Sequence, residues 1–224
     1  WEFKEWTGDL TGTDNPSQIT INESKKVRAV FTLIEYKLIL ETEGNGDVEI
    51  LRLKDRDSLI YRLTASTGFA EWQNDLTGSE NPTELYLDTD KTVKAIFEEP
   101  VFLSENGVTI KARDWTKAGD KGTINDVEYT IVDNQTLRQM IADGKDVSKV
   151  VTSKVTSMLR LFFDTQFNQD ISSWDTSNVT TMNYMFYRNE TFNQDISNWD
   201  VSNVTDMAGM FQSCSSFNSD LSSW

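Results

Sequence analysis

Residues 167–224 read FNQDISSWDTSNVTTMNYMFYRNET, then FNQDISNWDVSNVTDMAGMFQSCSS, then FNSDLSSW. Trp174, Trp199 and Trp224 lie 25 residues apart, and Phe167, Phe192 and Phe217 keep the same interval. A period of this length is the mark of stacked copies, each of which buries its apolar side only against its neighbours. Upstream the pattern is degenerate: Val155-Thr156-Ser157-Met158 and Leu161-Phe162 precede Val179-Thr180-Thr181-Met182 and Met185-Phe186 by 24 residues. In each copy the apolar set follows spacings of 3, 3 and 1, as in Val179, Met182, Met185 and Phe186. That spacing predicts one face of a short capped helix. With Phe192 to Ile196 as a short strand, each copy reads as strand, loop and helix.

The ladders have chemical content. Asn168, Asn193 and Asn218 recur in register, as do Asp170, Asp195 and Asp220, Asp175 with Asp200, and Asn178 with Asn203. Stacked asparagines satisfy one another and turn backbone groups. Stacked aspartates about 5 Å apart repel by roughly 3 kcal/mol at an effective dielectric of 20. Two readings follow: Asp170, Asp195 and Asp220 face solvent and accept hydrogen bonds, or they share a calcium ion between copies. Trp174, Trp199 and Trp224 likewise either stack in the core or form an exposed ligand platform for a glycan or protein. Cys214, aligned with Asn189, reads as a packing residue.

A longer repeat occupies the first 98 residues. FKEWTGDLTGTDNPSQITI from Phe3 matches FAEWQNDLTGSENPTELYL from Phe69 at an offset of 66, and KKVRAVF from Lys25 matches KTVKAIF from Lys91. The complete unit predicts strands at Tyr36–Leu40 and Val48–Leu53 joined as a hairpin through Gly44-Asn45-Gly46, a strand at Ser58–Ala65, and a closing hairpin from Leu85–Leu87 and Val93–Phe97. Trp6 and Trp72 are the expected core anchors of such small units. Beyond Pro100, Asn106-Gly107 predicts a turn, Val108–Ala112 and Val127–Val132 strands, and Asp133 or Asn134 the cap of a helix carrying Leu137, Met140 and Ile141.

The F-x-x-W-x-x-D-L-T-G-x-x-N-P … K-x-V-x-A-x-F pattern resembles the divergent internalin-type B repeat of bacterial surface proteins, a resemblance that implies small tandem β modules used as a stalk. The M-F-x(5)-F-N-x-D-I-S-x-W-D-x-S-N-V-T-x-M pattern resembles the BspA-like leucine-rich repeat family in its DUF285 form. That second resemblance implies a secreted, surface-displayed recognition protein. The combined expectation is a mixed fold: small tandem β-rich repeat modules followed by a capped α/β leucine-rich-repeat solenoid. Its parts are a partial module at 1–35, a complete one at 36–99, a cap at 100–149 and the 25-residue repeats at 150–224.

Composition narrows the chemistry. The chain of 224 residues has 21 Lys+Arg against 36 Asp+Glu, a net charge of -15. Such a surface repels nucleic acid and anionic membranes. It contains no histidine and one cysteine, which removes Ser-His-Asp, Cys-His and His-bearing metal chemistry and any internal disulfide. No run of about 18 apolar residues predicts a membrane helix. A first residue Trp1 and a last residue Trp224 on a repeat landmark predict a piece of a longer protein. The sequence therefore predicts a non-enzymatic, extracellular recognition protein whose partner is a protein or glycan. The rival readings are a carbohydrate-binding appendage of a secreted enzyme and a spacer without a ligand.

Overall fold

The structure is a computed structural model and describes residues 2–32, 34–54 and 59–224. Two compact units form: Trp1–Glu43 with Asp47–Ala65 and Glu71–Ile96, and Gly44–Gly46 with Ser66–Ala70 and Phe97–Trp224. Among the described residues there are thirteen strands and one α-helix.

In the first unit β1 (Glu2–Gly8) pairs antiparallel with β2 (Val27–Thr32), with a register shift between Phe3 and Glu5. β3 (Leu38–Glu43) does not pair with β4 (Val48–Lys54) as the predicted hairpin requires. β3 instead runs parallel to β8 (Lys91–Phe97), Leu38 opposite Lys91, and β6 (Phe69–Asn74) follows β8 in a three-stranded sheet. β4 pairs antiparallel with β5 (Leu59–Ala65), which pairs with β7 (Thr83–Tyr86). The predicted start of β5 at Ser58 lies outside the described residues. The closing hairpin is also absent, since β7 and β8 belong to different sheets.

Glycine placement explains the first error. A Cβ on Gly44 would sit 2.3 Å from the Phe97 carbonyl oxygen, and one on Gly46 would sit 2.1 Å from the Phe97 ring. These glycines permit a close approach to Phe97 rather than a tight hairpin.

The offset of 66 is real in three dimensions. The Trp6 and Trp72 indole N–H groups donate to Asp14 O at 3.0 Å and Glu80 O at 2.9 Å. Their amides donate to Gly12 O and Gly78 O, both at 2.8 Å. Asp9 and Asp75 carboxylates accept the Lys26 and Thr92 amides at 2.6 and 2.7 Å. Asn15-Pro16 and Asn81-Pro82 are both cis. Trp72 is buried in its unit and Trp6 is half-buried.

The second unit begins with a hairpin, β9 (Val101–Leu103) against β10 (Ile110–Ala112), turned by Asn106, whose side-chain oxygen accepts the Val108 and Thr109 amides. β11 (Lys121–Ile124) and β12 (Val127–Asp133) form a second hairpin. Its two-residue loop is Asn125-Asp126, with φ of 49° and 64° as such loops demand. Asp133 caps α1 (Asn134–Ala142) by accepting the Thr136 amide at 2.8 Å, and this holds its carboxyl below the usual range. The chain then returns as β13 (Val150–Lys154), parallel to β12.

From here the sequence expectation fails. Beyond β13 the repeats hold no helix and no regular strand among the described residues; they are runs of turns joined by isolated parallel bridges, Ser157 to Thr181 and Thr181 to Asp206. An α/β leucine-rich-repeat solenoid is therefore not present, and the fold is nearly all β in several small sheets. The cause lies in the backbone. Arg160 and Asp164, Tyr184 and Arg188, and Gly209 and Ser213 all have φ between 52° and 64°. A left-handed residue every fourth position stops α-helical hydrogen bonding from propagating. Alternate amides then donate to the next copy: Met158 to Thr181 O, Arg160 to Asn183 O, Phe162 to Met185 O and Asp164 to Tyr187 O, all at 2.8–3.0 Å. The spacings of 3, 3 and 1 do choose the buried residues, because Val179, Met182, Met185 and Phe186 are all 0% exposed.

Candidate binding face

The interior of the repeats is filled largely by repeated residues, Asn189 against Cys214 being a buried exception, and further differences between copies are found on the outside. Trp174, Trp199 and Trp224 stack with ring centroids 6.3 and 6.4 Å apart and planes within 7°. Each indole N–H donates to a carbonyl of the preceding copy, Val147, Ile171 and Ile196 respectively, at 3.0–3.2 Å. Trp174 and Trp199 are buried and Trp224 is half-buried, so these rings line the core rather than an open platform. Phe162, Phe186 and Phe211 form a parallel column at 5.4 and 5.7 Å, flanked by Phe167, Phe192 and Phe217.

The three ladder aspartates have identical partners. Asp170, Asp195 and Asp220 each accept, through Oδ1, the amide of the serine two residues on, all at 2.9 Å. For Asp195 this bond from Ser197 holds the carboxyl below its ordinary range. Among the described residues no group of three or more acidic or cysteine side chains is arranged to hold a metal ion. The same turn occurs at Asp146, which accepts the Ser148 amide at 2.8 Å. The repeat geometry thus reaches back to Asp146, and the signal was Asp146-Val147-Ser148 beside Asp170-Ile171-Ser172. Val150 and Val151 stand where later copies have Trp and Asp, which hid the match.

The asparagines tie one copy to the next through the backbone rather than amide to amide. Asn168 Oδ1 accepts the Asn193 amide at 3.0 Å, and Asn193 Oδ1 accepts the Asn218 amide at 2.9 Å. Asn178 and Asn203 donate back to Ser153 O and Ser177 O.

The outward positions of the turn runs vary, and the variation concentrates aromatic and cationic groups. Where the third copy has Gly209 and Gln212, the first has Arg160 and Phe163 and the second Tyr184 and Tyr187. Phe163 stacks on Tyr187 at 4.9 Å and 13°, and Tyr187 meets Tyr184 edge-on at 5.3 Å. The Arg160 guanidinium lies 5.4 Å from the Phe163 ring and 5.6 Å from that of Tyr184. Leu159 beside them is 42% exposed and Phe163 37%. The repeated pattern carries no mark of this face; its signal is the non-repeating residues between repeated ones.

Residues 132–224 match the family model described as "Mycoplasma protein of unknown function, DUF285", and residues 1–35 match the "Divergent InlB B-repeat domain". The first supports the DUF285 resemblance without its leucine-rich-repeat fold, the second supports the B-repeat resemblance over residues 1–35, and neither description names a reaction. No curated protein and no solved structure matches the chain. Among the described residues, no helix is long and apolar enough to cross a membrane.

Proposed function

We propose that the chain is a non-catalytic recognition protein displayed outside a bacterial cell, with the modules at 1–35 and 36–99 as a stalk, residues 100–149 as a lead-in, and the repeats at 150–224 as the binding part. The observation that carries this reading is the face on which exposed Leu159, Arg160 and Phe163 stack with half-buried Tyr184 and Tyr187. Aromatic residues and arginine are the types that dominate binding energy at protein interfaces. The face is preorganised by ring stacking, so little side-chain freedom is lost on docking. An extracellular protein is the partner it suits best, and the acidic remainder of the surface disfavours nucleic acid.

The test is binding of the full chain to a panel of purified extracellular matrix proteins, beside the double variant F163S/Y187S. The expected result is saturable binding to at least one of them that falls at least about tenfold in the variant, since interface hot spots cost 2 kcal/mol or more. Equal binding by both proteins, or none to any member of the panel, overturns the assignment.

A further inference from the structure

A cleft elsewhere in the second unit uses none of these residues. Of about 350 Å³, it is lined by Phe102 and β10 on one side and by Ser153, Lys154, Asp175 and Asn178 on the other. Its charged lining is Lys111, Arg113 and Lys154 against Asp114 and Asp175. That balance is positive, in a protein whose net charge is -15.

The one buried carboxylate is already occupied. Asp175 accepts the Ser153 and Ser177 hydroxyls at 2.6 Å each and the Ser177 amide at 3.2 Å. Lys111 Nζ stands 3.9 Å from Asp175 Oδ1, beyond direct hydrogen-bond range. Lys154 Nζ donates only to the carbonyls of Arg113 and Asp114, at 3.3 and 3.1 Å, and among the described residues no carboxylate pairs with it. The Arg113 guanidinium covers the Phe102 ring at 4.7 Å and meets Glu98 at 3.4 Å, while its Nε is buried without a hydrogen-bond partner among the described residues. Lys154 also breaks the repeat. Later copies have Asn178 and Asn203 at its position, and their amides make the tie to the previous copy without a charge.

We propose that this cleft binds the carboxylate of an acidic sugar residue, with Lys154 and Lys111 as the cations that receive it. A site of this volume is at the small end for ligand pockets and takes one sugar ring rather than a length of peptide. The lining supplies both kinds of partner a hydroxylated ring needs: ammonium and guanidinium donors, and acceptors in the Asn178 side chain, the Asp114 carboxylate and the carbonyls at the rim. A carboxylate set against two ammonium groups forms charge-assisted hydrogen bonds, about twice as strong as neutral ones.

Titration of the full chain with sodium glucuronate, followed by amide ¹H–¹⁵N spectra, tests this. Glucuronate is expected to move the amide signals of Lys111, Arg113, Lys154 and Asn178 saturably, with glucose and N-acetylglutamate at least about tenfold weaker. K154M is expected to weaken glucuronate binding about tenfold or more, the size of losing a hydrogen bond to a charged group. K111M provides the same readout should K154M lose its dispersed spectrum. No movement of these signals, movement by glucose alone to the same extent, or N-acetylglutamate binding as tightly as glucuronate overturns the proposal. Because the probe set reports on cleft amides, failure here leaves the outcome at Phe163 and Tyr187 unaffected.

Discussion

The two repeat systems of this chain solve the same problem in opposite ways. In the modules at an offset of 66, each tryptophan is tied within its own copy: Trp6 and Trp72 donate to carbonyls 8 residues away. In the repeats of 25, each is tied to the previous copy: Trp174, Trp199 and Trp224 donate to carbonyls 27 or 28 residues back. A module is thus a closed unit that tolerates its neighbours. A repeat of the second kind keeps turn bonds of its own but anchors its tryptophan on a neighbour, so its stability is shared along the stack. Aspartates follow the same division. Asp9 and Asp75 each clamp two strands of one module, whereas Asp195 holds a turn whose Gln194 and Ser197 carbonyls accept the Ser219 and Ser223 hydroxyls of the next copy.

The largest test of this contrast is tryptophan deletion. W199A removes a buried ring stacked on both sides and costs about 3–5 kcal/mol, the range for a large aromatic in a packed core. Hydrogen exchange is expected to accelerate in the copies before and after it, at Phe186 and Trp224. W72A falls in the same range because Trp72 is 2% exposed, yet exchange in the repeats is expected to stay unchanged. W6A costs less, its ring being half-buried. Acceleration confined to the mutated copy in W199A breaks the comparison.

Acid comes next, because it acts on several turns together. Asp146, Asp195 and Asp200 are held below the usual carboxylate range by hydrogen bonds from the serine two residues on, and Asp206 by the Ala208 amide and Asn183. A folded value below the unfolded one, near 3.9 for aspartate, gives stability that is complete above about pH 4. That contribution is lost as pH falls through the lowered values. Tryptophan fluorescence melts are expected to show the repeats losing stability steeply below pH 4. D195N, whose amide oxygen still accepts the Ser197 amide but carries no charge, is expected to lessen the acid response and to be less stable than the parent at pH 7 by about the amount that the parent loses in acid. A melting temperature equal at pH 6 and pH 2.5 contradicts the role given to these turns.

How much of this was legible depended on what each pattern encodes. Apolar spacing reports which side chains point inward, and it named Val179, Met182, Met185 and Phe186 correctly. It does not report φ, so the same spacing fits a helix equally well. The missing information sat in Arg160, Tyr184 and Arg188, ordinary residues in a left-handed conformation that only stacking on a neighbouring copy sustains. Local motifs fared better where the physics is local: Asp133 as a helix cap and Asn106-Gly107 as a turn. Strand pairing in the modules was not local. Gly44 and Gly46 looked like a hairpin loop, and their true reason is Phe97, about fifty residues onward. The aromatic face at Phe163 and Tyr187 escaped because it is built from departures from the repeat.

A smaller effect is expected at Gly209. The module glycines Gly12 and Gly78 have nothing within 4 Å of an added Cβ, but a Cβ on Gly209 would lie 2.4 Å from Tyr184 Cε1 in the previous copy. G209A therefore meets both a left-handed φ of 64° and a neighbouring ring. The φ alone costs about 1–2 kcal/mol. The remainder is a coupling between copies, and a double-mutant cycle with Y184S is expected to recover about 0.5–1 kcal/mol of it. Additive costs would mean that outward residues of adjacent copies do not sense each other.

The smallest expected change is a gain. Asn189 is buried and its Nδ2 donates to Phe167 O at 3.0 Å, closing one copy on itself. One period later Cys214 stands at that position, and its Sγ reaches Phe192 O only at 3.8 Å. A thiol is a weak donor, and burial pushes this one up from its ordinary range, so it stays protonated and unreactive at neutral pH. C214N restores the stronger amide donor to a carbonyl already placed to accept it. The expected result is a stabilisation of about 0.5–1.5 kcal/mol in chemical denaturation, read as a higher midpoint with an unchanged slope. A loss of stability would mean that the copy holding Cys214 has less room at this position than the one before it, and that the two copies are not interchangeable in their closing bond.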